Sequence, residues 1–326
     1  MQTYHPSAAA PGLPSAILGG SAATGTARWA ASPPVGMRAS PLVAYLSLPK
    51  PRVVALILFT SAVASIAAAR GMPPWGTLLL LLISGALAAG GAATLNQFFD
   101  RDTDGLMART RRRPLVTGVV RHPSLVLLAG GVAVVSGVAL AAVASPPLAL
   151  FEGAGAFVYV VVYTLWLKRR TVFNIVIGGL AGSAAVLGGW VVVDPGLGLA
   201  PWLMAGLVFV WTPAHFWSLA VARRADYEHA ALPMLPVIVT PRGAAWWILF
   251  HIVATAALSV WVGLAADLGV LYFGPALLGA AAFLRAGVHL WRRPEPAAGW
   301  QVFKLSGVYL AIIFLGILVD TLVNSV

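Results

Sequence analysis

Cysteine is missing from this chain of 326 residues, which excludes disulfides and thiolate metal sites outright. Charge is scarce too. Charged residues make up 10% of the chain, against roughly 25% in a soluble globular domain. Hydrophobic residues reach 60% and the mean hydropathy is +0.88, so a soluble enzyme is excluded and a polytopic, all-α membrane protein is expected. The formal charge of +11 would suit nucleic acid in a soluble protein. Here the cations fall where membrane topology puts them, and no nucleic-acid partner is expected.

What is present is long apolar runs. Residues 1–40 are rich in Ala, Ser, Pro and Gly and hold no acid, which predicts a disordered tail ahead of one intramembrane domain over 41–326. From residue 53 the chain resolves into segments of membrane-spanning length, which is ~20 residues. The expected spans are 53–70, 74–99, 123–143, 148–166, 173–193, 200–222, 246–266, 270–291 and 303–323. Small-xxx-small pairs, Gly178 with Gly182 and Gly90 with Thr94, predict close helix approaches.

Cations alternate between the connections. Lys50 and Arg52, Arg101 to Arg121, Lys168 to Arg170, Arg223 to Arg242, and Arg292 to Lys304 fall on one side. Only Arg70 falls on the other, with Asp194 and Asp267. The positive-inside rule then makes the N-terminus cytoplasmic, in a bacterial inner membrane or, as a second reading, a mitochondrial inner membrane.

Acids are rare, ten in all, yet Asp100, Asp102 and Asp104 fall within five positions, after a stretch from Thr77 to Phe99 with no charge. Asn96, Asp100 and Asp104 are spaced i, i+4, i+8, which places them on one helix stripe about 12 Å long. Two carboxylates and an amide oxygen are hard ligands suited to Mg²⁺ shared with a substrate phosphate. Asp102 points off the stripe, towards water or a nearby arginine.

A second corner follows the sixth span, with Asp226 after Arg223 and Arg224 and with His215 among Trp211, Phe216 and Trp217. An ionisable residue within a span is a functional candidate. The aromatic surroundings suit a tetrapyrrole. Lys168, Arg169 and Arg170, with Arg111 to Arg113, can clamp a diphosphate at the same mouth. A transporter would instead spread its acids at mid-depth along the bundle.

NQFFDRDTDGLMARTRRRPL, from Asn96 to Leu115, resembles the first signature of the UbiA-type intramembrane prenyltransferases. LKRRTVFNIVIGG, TPAHFWSLA and DYEHAALPMLP, with YLSLPKPRVVALILFT near the start, are similar to one branch, the heme O synthases (protoheme IX farnesyltransferases). The chain departs from that pattern at Ala184-Ala185, where a Pro-Pro pair is usual, and at Ala230, where relatives with two acids in the second motif carry the second.

The resemblance implies a bundle of nine transmembrane helices with a cytoplasmic-side active site. It assigns Asn96, Asp100, Asp104 and Asp226 to metal binding and catalysis, and Arg109, Arg113, Lys168 and Arg169 to the diphosphate. His215, Trp217 and Tyr227 complete the candidate substrate-binding set, with His215 facing the porphyrin. It also implies Mg²⁺ as cofactor, farnesyl diphosphate and heme B as substrates, and heme A synthase or terminal-oxidase assembly downstream. The alternative within the class is an aromatic, 4-hydroxybenzoate-type polyprenyltransferase.

Overall fold

The computed structural model describes residues 40–324, so the expected disordered tail lies, but for Ser40, outside the described residues. Among the described residues nine helices are long and apolar enough to cross a membrane. They are Leu42–Ala69, Trp75–Phe99, Pro123–Ala144, Pro146–Leu167, Asn174–Val191, Leu199–Ala222, Pro241–Ala265, Val270–Arg292 and Pro296–Val323, here spans one to nine. No strand occurs among them. The seventh and ninth spans begin several residues before the apolar runs did. Pro241 and Pro296 open each helix with a preset φ, and the polar Arg242 in one and Gln301 and Lys304 in the other interrupt the apolar run near its start.

Each span packs on the next, and the ninth closes on the first. The first and fifth spans also touch across this ring, as do the sixth and ninth. Connections at one end are short: 70–74, Ser145, 192–198 and 266–269. At the other end 168–173 and 293–295 are short as well, whereas 100–122 and 223–240 are long and carry the short helices Arg101–Leu106 and Arg224–His229. The main apolar core runs through the later spans and includes Met204, Ile248, Ile252, Phe283 and Ile313.

Lipid tails are as apolar as leucine, so the spans associate through close packing and internal polar bonds. Gly178 and Gly182 do meet neighbours, the Tyr163 ring and the Val208 side chain. The tightest backbone approaches fall elsewhere. A Cβ on Gly137 would lie 2.6 Å from the Ser84 carbonyl oxygen and 2.7 Å from the Ala88 nitrogen. One on Gly91 would lie 2.6 Å from the Gly130 carbonyl oxygen. Spans two and three are thus locked at two levels, and Gly189 does the same for spans five and one against the Ser61 backbone.

Two acids inside the spans hold structure together. Asp320 is buried and accepts from the Gly269 and Tyr272 backbone N–H groups at 2.9 and 3.1 Å, capping the start of span eight. Glu152 accepts from the Ser84 hydroxyl at 2.7 Å, joining span four to span two. The acids are therefore not confined to one face, as the sequence had suggested, although only one end gathers acids and cations together.

Gly137→Ala should lower the thermal midpoint in detergent by several degrees, because overpacking costs about 1–3 kcal/mol. Gly76→Ala, whose Cβ would meet nothing within 4 Å, should leave the midpoint unchanged or raise it slightly. Fluorescence-detected melting of the two variants checks the contrast.

Candidate active site

Span two carries its apolar run to Phe99 and ends at Asp100, whose φ of −90° and ψ of −3° make it both the cap of this helix and the start of Arg101–Leu106. The turn survives the break: the Asp104 N–H still donates to the Asp100 carbonyl at 2.7 Å. Asn96, Asp100 and Asp104 therefore stay on one side, all less than 5% exposed. Ionised carboxylates in such a place need opposite charge. Lys168 meets Asp100 Oδ2 at 2.5 Å, and Arg113 meets Asp104 Oδ2 at 2.5 Å.

Asn96 ties the cluster to two other spans. Its Nδ2 donates to Asp100 Oδ2 at 2.8 Å and to Thr164 Oγ1 at 2.9 Å, and its Oδ1 accepts from Lys50 Nζ. Lys50 also donates to the Tyr159 hydroxyl at 3.1 Å. With both amide hydrogens and the carbonyl engaged, Asn96 offers an oxygen to a metal only when Lys50 withdraws. Lys50, Tyr159 and Thr164 were missed in the sequence. The available signal was Lys50 between Pro49 and Pro51. A residue before proline is kept out of the α region, and Lys50 takes a left-handed φ of 53° that breaks the first span and turns its side chain inward.

The fourth span is irregular where it reaches the cluster. Val158–Leu167 is π-helical, and Thr164 Oγ1 donates to the Tyr159 carbonyl five residues back at 2.7 Å. Such widening is frequent at functional sites. It brings Tyr159, Thr164 and, just beyond, Lys168 to one side, with Tyr163 stacked on Tyr159 at 5.9 Å.

The other candidates divide. Arg109 bonds Tyr227, and burial raises the Tyr227 hydroxyl above the ordinary tyrosine pKa while Arg109 opposes that rise. This contact joins the second corner to the first. Asp226 is one residue, hence about 100°, around its short helix from buried Tyr227. It lines a separate recess with Arg223, Arg224 and Glu228. Among the described residues no three His, Asp or Glu side chains gather at metal-holding distance, so Asp100, Asp104 and Asp226 do not form one metal-holding group.

Arg169 is likewise not turned to the buried carboxylates. Its guanidinium forks onto exposed Asp102 at 2.9 and 2.7 Å and reaches the Phe99 carbonyl at 3.2 Å. That bond holds the Asp102 carboxyl below the usual carboxylate range. Trp217 is buried edge-on against His251, and its Nε1 has no partner. His215 points elsewhere, its ring stacked on Trp211 at 4.4 Å, tilted against Phe303 at 4.4 Å and edge-to-face with Phe216 at 5.1 Å, with its Nδ1 2.7 Å from Ser306 Oγ.

Four cations, Lys50, Arg109, Arg113 and Lys168, stand around two carboxylates, leaving an excess of positive charge for an anion. Asp100 Oδ1 is buried with no partner, an orphan that a hard cation would satisfy.

Residues 57–313 match the UbiA prenyltransferase family. A protoheme IX farnesyltransferase of Desulforudis audaxviator (strain MP104C) is 40% identical over 278 residues, 85% of this chain and 88% of that one. Protoheme IX farnesyltransferase 1 of Saccharopolyspora erythraea is 42% identical over 307 residues, 93% of this chain and 97% of that one. A longer protoheme IX farnesyltransferase of Thermus thermophilus is 41% identical, the match taking 85% of this chain and 45% of that one. Among solved structures, a digeranylgeranylglyceryl phosphate synthase superposes with a TM-score of 0.73 at 15% identity, over 87% of this chain and 99% of that one. A UbiA homolog from Archaeoglobus fulgidus bound to DMAPP and Mg²⁺ superposes at 0.59 with 20% identity, over 84% and 99%. These two show the likeness of fold.

Lys168→Met leaves Asp100 buried without its cation. It should destabilise the protein by about 3 kcal/mol and lower prenyl transfer about 100-fold. Asp102→Asn breaks an exposed pair, worth about 0–1 kcal/mol, and should leave activity within about twofold. Because the Asp102 carboxyl is depressed in the folded state, its small contribution is present above the ordinary carboxylate value and fades as pH falls through the folded one. Melts at pH 7 and pH 3, with turnover assays, separate the two pairs.

Proposed function

This chain belongs to the UbiA prenyltransferase family, and from that premise we propose that it transfers a farnesyl group from farnesyl diphosphate to a vinyl group of heme B, making heme O for terminal-oxidase heme biosynthesis. The observation that carries the chemistry is the buried carboxylate pair with an orphan oxygen on Asp100, inside a ring of four cations. The acceptor follows from relatives about 40% identical over most of the chain, named protoheme IX farnesyltransferase.

Asp100 and Asp104, with Asn96 once Lys50 withdraws, would hold Mg²⁺, with Asp226 approaching from the second corner. The metal would supply charge neutralisation for the diphosphate. Around it Lys168 and Arg113 exchange carboxylate partners for phosphate oxygens, and Arg109 and Lys50 complete the clamp. Arg169 joins them only by releasing Asp102. These cations lie where negative charge develops as the allylic carbon–oxygen bond breaks and its electron pair leaves with diphosphate. The vinyl π pair then forms the new carbon–carbon bond. Water adds to the cation left on the porphyrin side and loses a proton, giving a hydroxyethylfarnesyl group. Tyr159 and Tyr163 wall the site against bulk water until then.

By the positive-inside rule the cationic mouth faces the cytoplasm, in a bacterial inner membrane, and the N-terminus lies on the same side. Heme O leaves as substrate for the enzymes of oxidase assembly, heme A synthase among them. The aromatic 4-hydroxybenzoate reading uses the same donor corner but gives His215 and its aromatic neighbours no role.

Membranes carrying this chain should convert heme B and farnesyl diphosphate to a product of heme O mass when Mg²⁺ is present, and stop on chelation. Asp100→Ala and Asp104→Ala should each lower turnover more than about 1,000-fold while the protein still inserts. Modification of 4-hydroxybenzoate but not heme would reverse the acceptor assignment, and normal turnover in either variant would remove the metal site.

A further inference from the structure

Away from the donor corner, the outer face of span eight carries charge at a depth where a lipid-facing helix has little use for it. Leu271, Leu278, Arg285 and Arg292 recur every seven residues, so they share one stripe of the helix. Pro275, Ala282 and His289 fall on the same side, and all seven residues are exposed. Phe283 and Gly287, which meet Tyr309 of span nine and Leu249 of span seven, lie on the opposite side. The exposed stripe is therefore apolar over its first half and cationic over its last turns.

The neighbouring spans give the depth. Span eight ends at Arg292, so Arg285 lies seven residues, about 10 Å, inside it. The Arg242 guanidinium lies 5.4 Å over the Trp291 ring, and a Cβ on Gly287 would lie 3.0 Å from Leu249 Cδ1. Arg285 is thus about one turn deeper than Trp246 and Trp247 of span seven, which are 57% and 51% exposed. Exposed tryptophans near helix ends mark the headgroup level of a bilayer. Arg285 therefore starts among acyl chains, and its charge reaches the headgroups only by extending outward. On span nine Lys304 is exposed too, five residues before Tyr309, whose ring meets Phe283 at 5.4 Å. That spacing puts Lys304 within about a turn of the Arg285 level. Among the described residues none of Arg285, Arg292 and Lys304 pairs with a carboxylate.

We propose that this face of spans eight and nine is a docking site for an anionic phospholipid. Arg285, with Arg292 and Lys304, holds its phosphate, and its acyl chains lie along Ala282, Leu278 and Leu271. The match is one of charge and depth. A guanidinium presents a planar fork to a phosphate, and here it is rooted below the headgroup level, beside a surface that only an apolar chain covers. A zwitterionic headgroup brings its own ammonium to its phosphate, whereas an anionic one leaves its charge to the protein's cations. A second copy of this chain across a twofold axis would set Arg285 against Arg285, which is repulsive. The site lies on the outside of the bundle and stands whatever acceptor the donor corner serves.

The test is native mass spectrometry of the purified full chain, released from nanodiscs made of phosphatidylglycerol and phosphatidylcholine in equal amounts. The wild type should retain phosphatidylglycerol in preference to phosphatidylcholine. Arg285→Gln should weaken that binding about fivefold, and Arg285→Lys should keep most of it. Lys304→Gln, on the other span, should weaken it in the same direction. Arg70→Gln removes an exposed cation from the opposite end of the bundle and should change nothing. In phosphatidylcholine alone Arg285→Gln should melt with the wild type, yet lose the upward shift in midpoint that phosphatidylglycerol gives the wild type.

Equal retention of phosphatidylglycerol in the wild type and Arg285→Gln, or an equal loss in Arg70→Gln, would overturn the site. Displacement of the phospholipid by inorganic phosphate would overturn it as well, because the headgroup charge alone would then be the ligand. A dimer that dissociates in Arg285→Gln would make this face an interface between copies instead.

Discussion

A carboxylate sealed at the end of an apolar membrane helix is tolerable only in contact with positive charge, and Asp100 is the group on which this site turns. Its bond to Lys168 fixes the end of span four against the end of span two. Its bond from Asn96 extends the link to Lys50 and so to span one. Asp104, one turn on, would repel Asp100 if neither were compensated, and Arg113 removes that conflict. In the proposed function the cations that hold the two acids are the same groups that would meet a diphosphate, so the site is charged for it before substrate arrives. Glycine-mediated contacts elsewhere, such as Gly137 against the Ser84 backbone, bring the spans near enough for these short bonds to reach.

Irregular backbone supplies the positioning. A regular helix through residues 42–69 would leave the Lys50 side chain on its outer turn. The left-handed residue between two prolines instead delivers it to Asn96 and Tyr159. A regular helix through 158–167 would rotate Thr164 away from Tyr159, whereas the π-helical turns bring them into register. Departures of this kind cost of order 1–3 kcal/mol when they are local strain, and each is held here by the bonds that it makes possible.

The candidate residues are carried by two walls of the bundle. Spans one, two and four build the cationic corner, and spans six and nine bring Trp211, His215 and Phe303 together. Tyr227 bonded to Arg109 is where the second corner touches the first.

The nine spans were legible because a bilayer demands about 20 consecutive apolar residues and leaves its mark in composition. Asn96, Asp100 and Asp104 were legible because the i, i+4 relation survives the break at Asp100, a local property. Arg169 and Trp217 show the limit. Each stands within two residues of a group that faces its site, Lys168 or His215, and a rotation of 100° per residue sends it elsewhere. Lys50 meets Asn96 from 46 residues away, and Ser306 meets His215 from 91. The sequence by itself determined the membrane class, the span count and the acidic stripe, all set by neighbours along one helix. Only the tertiary structure decided which cation holds which acid and which residue meets His215, because those follow from how separate helices rotate and meet.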